Sequence, residues 1–160
     1  MKAEPQKEHR WLQQLLGEWT YEGEMQMGPG QPAEKCPGTE SVRALGELWV
    51  VCEGRGEMPG GGSATMQMTL GYDPEKKAFI GSWAGSMMTQ MWVYNGTLDA
   101  EANVLTLNTE GPSFAGDAKQ AKYRDEITIK NKDERVLSSQ VLQDDGTWKR
   151  FMTATYRRRK

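Results

Sequence analysis

The side chains that could carry out chemistry are few in this chain of 160 residues, and they lie far apart. The one histidine, His9, is close to the start, and the two cysteines, Cys36 and Cys52, lack the short spacings that bind zinc. No serine and aspartate can be placed with His9 as a catalytic triad, and no glycine-rich loop joins a strand to a helix, as phosphate binding requires. The sequence therefore predicts no catalytic residue and no metal site, and we expect both thiols to be free.

Charged or phenolic side chains inside the core would be the other source of chemistry. A buried carboxylate with a raised pKa could act as a general acid or base, whereas a solvated pair on the surface is the more common arrangement. The residues on which an enzyme hypothesis depends, at least one of which must face a cavity, are Arg43, Glu53, Glu24 and Tyr94. An enzyme acting on a small organic acid, by isomerisation or decarboxylation, is therefore an alternative to a binding protein and not the leading hypothesis.

Charge and hydropathy argue against several classes of partner. The net charge is −2 and 37% of the residues are hydrophobic, so neither nucleic acid nor an anionic membrane is expected to bind. The only dense basic run, Arg157 to Lys160, is typical of a solubilising tail. No segment approaches the ~18 apolar residues of a membrane span, and the opening MKAEPQKEHR lacks the apolar core of a signal peptide. We therefore expect a cytoplasmic protein.

The hydrophobic pattern changes its period at Gly17. Residues from about 6 to 16 are predicted to form one short helix, because Pro5 suits a first helical position and Gly17 suits the position past the end. After Gly17 the period is two, and polar residues separate Trp19, Tyr21, Gly23, Met25 and Met27. This alternation predicts a first strand with one face in a core and the other in water.

The rest of the chain favours short strands joined by turns. With 18 glycines and 7 prolines, it contains about ten strand-like segments that follow one another as hairpins. The segment GPGQPAEKCPG (28–38) is predicted to be a long loop, either a lid or a plain surface loop. We expect one all-β domain over residues 1–160, in which a closed antiparallel up-and-down β-barrel of about 8–10 strands spans roughly 18–158.

Several short motifs together resemble a known family. A short helix followed by Gly17-x-Trp19 and a β-meander resembles the lipocalin-like (calycin) superfamily. More specifically, the chain resembles the domain-of-unknown-function family numbered 1579. The segments that carry this resemblance are His9 with WLQQLLGEW, Gly71-Tyr72-Asp73, FIGSW ending at Trp83, Ser86-Met87, Gly96-Thr97-Leu98-Asp99 and the terminal TYRR. The family often has an acidic residue after the second tryptophan, where this chain has Ala84.

The resemblance implies a structural role for the first strand and no established activity. In the superfamily, the tryptophan equivalent to Trp19 closes one end of the barrel beneath the helix and a basic side chain of the last strand. Arg157 or Arg158 would supply that side chain here, and Gly17 would permit the turn from helix to strand. Haem-binding relatives use a histidine near the far end of the chain, so with His9 alone haem is disfavoured and no cofactor is expected.

The interior of such a barrel is the natural place for a ligand. Methionine adapts its shape and aromatic rings are flat, so a wall of both suits a small apolar guest. The candidate ligand-binding residues are Tyr21, Met25, Met66, Met68, Trp83, Met87 and Trp92. These residues could equally fill a solid core, in which case the protein would be a structural or interaction domain. Either a monomer or a homodimer is compatible with the sequence.

Overall fold

The structure, a computed structural model, describes residues 2–26, 28 and 30–159. A short α-helix, α1 (Lys7–Leu12), continues into a 3₁₀ turn (Gln13–Leu15) and is followed by ten strands. The strands are β1 (Gly17–Met25), β2 (Glu34–Leu45), β3 (Trp49–Glu57), β4 (Ser63–Asp73), β5 (Ala78–Gly85), β6 (Trp92–Asp99), β7 (Val104–Pro112), β8 (Gln120–Asn131), β9 (Glu134–Leu142) and β10 (Trp148–Arg158). Within the described chain, no helix has the length and hydropathy needed to cross a membrane.

The strands form a closed antiparallel barrel. Each strand pairs with the next one along the chain, and β1 pairs with β10 to complete the ring. The β1–β10 register runs from Trp19 opposite Arg158 to Met25 opposite Met152. Closure leaves no strand with an unpaired edge, which is the usual liability of a sheet. The fold predicted from the sequence, a closed up-and-down barrel with one N-terminal helix, is confirmed.

The two ends of the barrel differ. We call the end where β1 begins the floor, because α1 lies there against β3 and β4. The other end, where β1 meets β2 and β7 meets β8, is called the mouth. A long loop was predicted over residues 28–38. The predicted extent of this loop is wrong, because β2 already begins at Glu34 and residues 34–38 are paired with β1. Met27, which the alternation assigned to the inner face of the first strand, lies outside the described residues.

Hydrogen bonds from His9 fasten the helix to the floor. The side chain is buried, its Nδ1 accepts the backbone N–H of Gln6 at 2.9 Å, and its Nε2 lies 3.0 Å from the carbonyl oxygen of Tyr72. Because Nδ1 is an acceptor, the neutral ring donates from Nε2 to Tyr72. Leu12 of α1 and Leu15 of the 3₁₀ turn are also almost fully buried. His9 thus has a structural role, with both ring nitrogens occupied.

Trp19 is the centre of the floor. Its side chain is almost fully buried, and its indole N–H donates to the carbonyl oxygen of Leu15 at 2.9 Å. Of the two candidate arginines, Arg158 makes the contact, with its Cζ 4.3 Å from the ring centroid, and it also donates to the carbonyl oxygen of Leu16. Arg157 is exposed and lies 3.7 Å from Glu134.

The two neighbouring arginines provide a matched test of the floor. We expect Arg158→Ala to lower the free energy of unfolding by about 2–3 kcal/mol, since it removes a cation–π contact and hydrogen bonds to backbone carbonyls. Arg157→Ala removes only an exposed ion pair and should cost less than about 1 kcal/mol. Urea unfolding followed by tryptophan fluorescence measures both. Equal losses would contradict the assignment of Arg158 as the residue that covers Trp19.

Candidate functional site in the barrel interior

Exposure of the inward-facing side chains changes with depth. Near the floor these side chains are almost completely buried. The residues with at most 2% of their surface exposed are Val50, Leu70, Phe79, Leu105, Leu107 and Ile127. Toward the mouth, inward-facing positions are partly exposed, namely Tyr21, Met25, Met66, Trp83 and Met152. Solvent therefore reaches the inner wall from the mouth and stops at the floor. We call this mouth half of the interior the cup.

Six of the seven predicted ligand-binding residues lie on inward-facing positions. Met68 and Trp92 are buried, whereas Tyr21, Met25, Met66 and Trp83 are partly exposed to the cup. The seventh, Met87, lies in the turn after β5 with 39% of its surface exposed, so it belongs to the rim. The structure thus brings the predicted set to one end of the barrel.

Glycines on neighbouring strands make room for the rings of the cup. The Tyr21 ring and hydroxyl occupy the space that a Cβ at Gly38 or Gly56 would need. The Trp92 ring fills the corresponding space at Gly111. The aromatic side chains of Tyr21 and Trp92 therefore lie against the wall, where the sheet has no side chain of its own.

Four aromatic rings pack together along one side of the mouth. Tyr123 lies 5.1 Å from Trp92 and 5.4 Å from Phe114 between ring centroids, and Phe151 lies 6.1 Å from Tyr123. The Tyr123 hydroxyl donates to the carbonyl oxygen of Pro112 at 2.7 Å, which fixes the ring in place. Phe114, in the connection between β7 and β8, remains more than half exposed. It therefore covers the cluster from the solvent side.

A carboxylate, Asp125, lies deeper on the inner face of β8. Its two oxygens each accept a 2.6 Å hydrogen bond, from the hydroxyls of Tyr94 and Ser139. Burial raises the pKa of Asp125 above its ordinary value, while the two hydrogen bonds oppose that rise. Burial, and then the neighbouring Asp125, hold the pKa of Tyr94 well above its ordinary value, so the phenol stays protonated. Asp125 is thus held in place by neutral donors.

A second ionic group lies near the floor. Arg135 on β9 donates to the Glu40 carboxylate on β2, and both side chains are largely buried. The Arg135 Cζ also lies 4.0 Å from the ring centroid of Tyr156 and 4.8 Å from that of Trp19. Burial, and then the nearby Glu40, raises the pKa of Tyr21 to about 12. The Arg135–Glu40 ion pair carries no net charge, and it connects the floor to the base of the cup.

The charged residues singled out from the sequence lie mostly elsewhere. Arg43 and Glu53 form a 3.2 Å ion pair on the outer face, with both side chains more than half exposed. Glu24 is also exposed, so of the four residues only Tyr94 faces the interior. Asp125 was not among the residues singled out from the sequence. Its signal was nevertheless present, since Asp125 shares the period-two phase of Tyr123 and Ile127, as an inward residue must.

The thiols and the described acidic groups form no metal site. Cys36 and Cys52 are both free, and burial raises the pKa of Cys52, which leaves its thiol protonated. Among the residues that the structure describes, no group of three His, Cys, Asp or Glu side chains is placed to hold a metal ion.

Two depressions lie at the surface of the barrel. One, of about 610 Å³, is at the rim beside the β3–β4 connection and is lined by Glu57, Met58 and Gly60, among others. The other, of about 530 Å³, runs along β2–β5 and is lined largely by outward-facing polar residues such as Thr39 and Gln67, although Met66 also lines it. Neither contains Asp125 or Tyr94. The inward-facing side chains of the mouth half, rather than either depression, define the candidate site.

The chain forms a closed ten-stranded barrel with a sealed floor and an apolar cup, and it therefore has the fold of the lipocalin-like barrel proteins. Within that class, the chain belongs to the family described as "Protein of unknown function (DUF1579)", whose model matches residues 4–158. The family resemblance read from the sequence is therefore confirmed. No functionally curated protein matches the chain.

Three solved structures illustrate the likeness in fold. Rv2717c from M. tuberculosis is 14% identical with a TM-score of 0.65, and the alignment covers 98% of this chain and 100% of that one. The S-type phycobiliprotein lyase CPES from Guillardia theta is 14% identical with a TM-score of 0.57, covering 98% and 99%. EF1p2_mFAP2b bound to DFHBI is 12% identical with a TM-score of 0.53, covering 95% and 99%. At these identities the likeness shows the fold alone.

Proposed function

We propose that the protein binds a small, largely apolar molecule in the cup. The observation that carries this proposal is the contrast in exposure between the two halves of the interior. In the floor half the inward-facing side chains are almost completely buried, whereas inward-facing methionine and aromatic side chains in the mouth half keep part of their surface in solvent. Covering that surface with an apolar molecule would gain about 25 cal/mol for each Å² removed from water.

The chemistry of the wall supports a guest of this kind. Met25, Met66 and Met152 are unbranched and adapt to the shape of a bound molecule, while Tyr21 and Trp83 offer flat faces. The partly exposed inner wall also disfavours the solid-core alternative, because a barrel filled by its own side chains would bury these positions. Among proteins of similar fold, one is bound to DFHBI in its structure, which is in keeping with ligand binding inside such a barrel.

An enzymatic reaction is the second candidate, and the observation that favours it is the interior Asp125–Tyr94 pair. Both oxygens of Asp125 already accept hydrogen bonds, and Tyr94 donates its only proton to this carboxylate. The two hydrogen bonds oppose the rise in the pKa of Asp125, and Tyr94 stays protonated, so neither group is set up as a strong base. This geometry supports a binding site better than a reaction centre.

A neutral fluorescent probe and a matched pair of variants test the proposed function. We expect N-phenyl-1-naphthylamine to bind the wild-type protein with an increased and blue-shifted emission. Met66→Glu places a charge in the cup and should weaken binding by more than about tenfold, because the charge would have to lose its water against the probe. Gln67→Glu adds the same charge to the adjacent, outward-facing position of β4 and should leave binding unchanged.

The control for folding is a thermal melt of each variant. Native mass spectrometry of freshly purified protein is a second measurement, which would detect a bound molecule carried through purification. The proposed function would be refuted if the wild-type protein took up no probe, or if Met66→Glu and Gln67→Glu bound it equally well.

A further inference from the structure

The interior carboxylate Asp125 lacks a cationic partner. Its hydrogen-bond donors are the neutral hydroxyls of Tyr94 and Ser139, and of the described residues none forms an ion pair with it. The other interior carboxylate, Glu40, is paired with Arg135. A buried charge is ordinarily paired, because the loss of hydration costs several kcal/mol. The unpaired state of Asp125 therefore requires an explanation.

Asp125 is accessible from the cup. It lies deep in the barrel, between the sealed Ile127 on its floor side and Tyr123 of the mouth cluster, yet its own surface is partly exposed. A carboxylate oxygen has two lone pairs, so each oxygen can accept one hydrogen bond beyond the one that it already receives. Asp125 therefore keeps acceptor capacity for further donors.

A second unsatisfied polar group lies on the neighbouring strand. The hydroxyl of Thr109 on β7 is buried, with 9% of the residue exposed, and it has no hydrogen-bond partner. Thr109 pairs with Tyr123 and shares the inward face of β7 with Leu107, which pairs with Asp125. An unpartnered buried hydroxyl costs about 1–3 kcal/mol, so this group, two residues nearer the mouth than Leu107, also points to a missing polar partner.

We propose that Asp125 binds the protonated amine of a ligand whose apolar body occupies the cup. This inference rests on the proposed function and adds the chemical class of the ligand's polar end. An ammonium group has N–H donors that can reach a carboxylate and also a hydroxyl such as that of Thr109, and the cation neutralises the buried charge. A carboxylate-bearing ligand lacks this fit, because Glu40 already neutralises the charge of the Arg135 guanidinium, although the buried Nε of Arg135 has no hydrogen-bond partner.

Three ligands that share one apolar chain test the inference by calorimetric titration at pH 7. Decylamine, decan-1-ol and decanoate carry cationic, neutral and anionic ends, respectively. We expect the unmodified protein to bind decylamine about 10–100-fold more tightly than decan-1-ol, which is the usual strength of a charge-assisted hydrogen bond, and to bind decanoate most weakly. This comparison needs no variant.

Two variants and one control locate the effect. Asp125→Asn should remove the preference for decylamine and change the affinity for decan-1-ol by no more than about twofold. Thr109→Val should weaken decylamine binding by a few-fold. Glu110→Gln removes a charge from the exposed residue next to Thr109, on the outer face of β7, and should leave all three affinities unchanged.

The outcomes separate this inference from the proposed function. If decan-1-ol binds and decylamine binds no more tightly, or if Asp125→Asn keeps the preference for the amine, the inference is overturned while the proposed function stands. If none of the three compounds binds, the proposed function fails and the inference fails with it. Tight amine binding that Asp125→Asn abolishes supports both.

Discussion

Replacing Glu40 by glutamine is expected to lower the free energy of unfolding by about 3–5 kcal/mol, because the change leaves the guanidinium of Arg135 buried without a compensating charge. Contacts with the rings of Tyr156 and Trp19 cannot replace the carboxylate, since a cation–π contact contributes only about 0.5–2 kcal/mol. Chemical unfolding monitored by circular dichroism measures the loss.

The exposed ion pair between Arg43 on β2 and Glu53 on β3, which shares strand β2 with Glu40, is the matched control. Glu53→Gln breaks the Arg43–Glu53 pair, which lies in solvent, and should cost less than about 1 kcal/mol. A double variant, Glu40→Leu with Arg135→Met, removes both buried charges and should recover most of the stability lost in Glu40→Gln. If the double variant were less stable than Glu40→Gln, the loss would come from packing and not from an unpaired charge.

The second large effect is expected at the floor, where Trp19→Ala should destabilise the protein by about 3–5 kcal/mol. The substitution empties a fully buried site, leaves the carbonyl oxygen of Leu15 without its indole donor, and removes the ring beneath Arg158. Thermal and urea unfolding measure the change in stability.

Trp148→Ala is the control for Trp19→Ala. Trp148 is partly exposed on β10, and its ring contacts a single guanidinium, that of Arg124, at 4.2 Å. The loss there should be about 1 kcal/mol. Equal destabilisation by the two substitutions would contradict the central place of Trp19 in the floor.

Most of the fold could be predicted from local pattern. The period-two alternation at Trp19 and Tyr21, the change of period at Gly17 and the series of hairpin turns were sufficient for a closed barrel with one helix. The extent of the second strand was missed, because Pro37 and Gly38 were interpreted as loop residues. The structure gives the reason for this glycine: the Tyr21 ring occupies the space beside it, so no larger residue fits in that strand.

The polar part of the site was harder to predict. A charged residue in a strand normally faces water, so Asp125 and Arg135 were not singled out from the sequence even though their phase places them inside. The same reasoning by phase would have chosen Arg158 over Arg157, since Arg158 alternates with the buried Tyr156. The partnership of Asp125 with Tyr94, 31 residues away, depends on side chains meeting across β7, and no local pattern specifies that contact.

Because aromatic rings pack over glycines on neighbouring strands, the volume of the barrel interior can change through substitutions at those glycines. At Gly56 and Gly111, one added methyl group would meet a ring and push it off the wall toward the centre of the lumen, whereas at Gly38 it would also collide with the backbone carbonyl oxygen of Arg55. At Gly56 and Gly111, the internal volume can therefore be reduced by single glycine-to-alanine changes, with the hydrogen-bonded ladder of the sheet left in place. If the protein binds a ligand as proposed, the size of the ligand that fits can change through these backbone positions as well as through the residues that contact it.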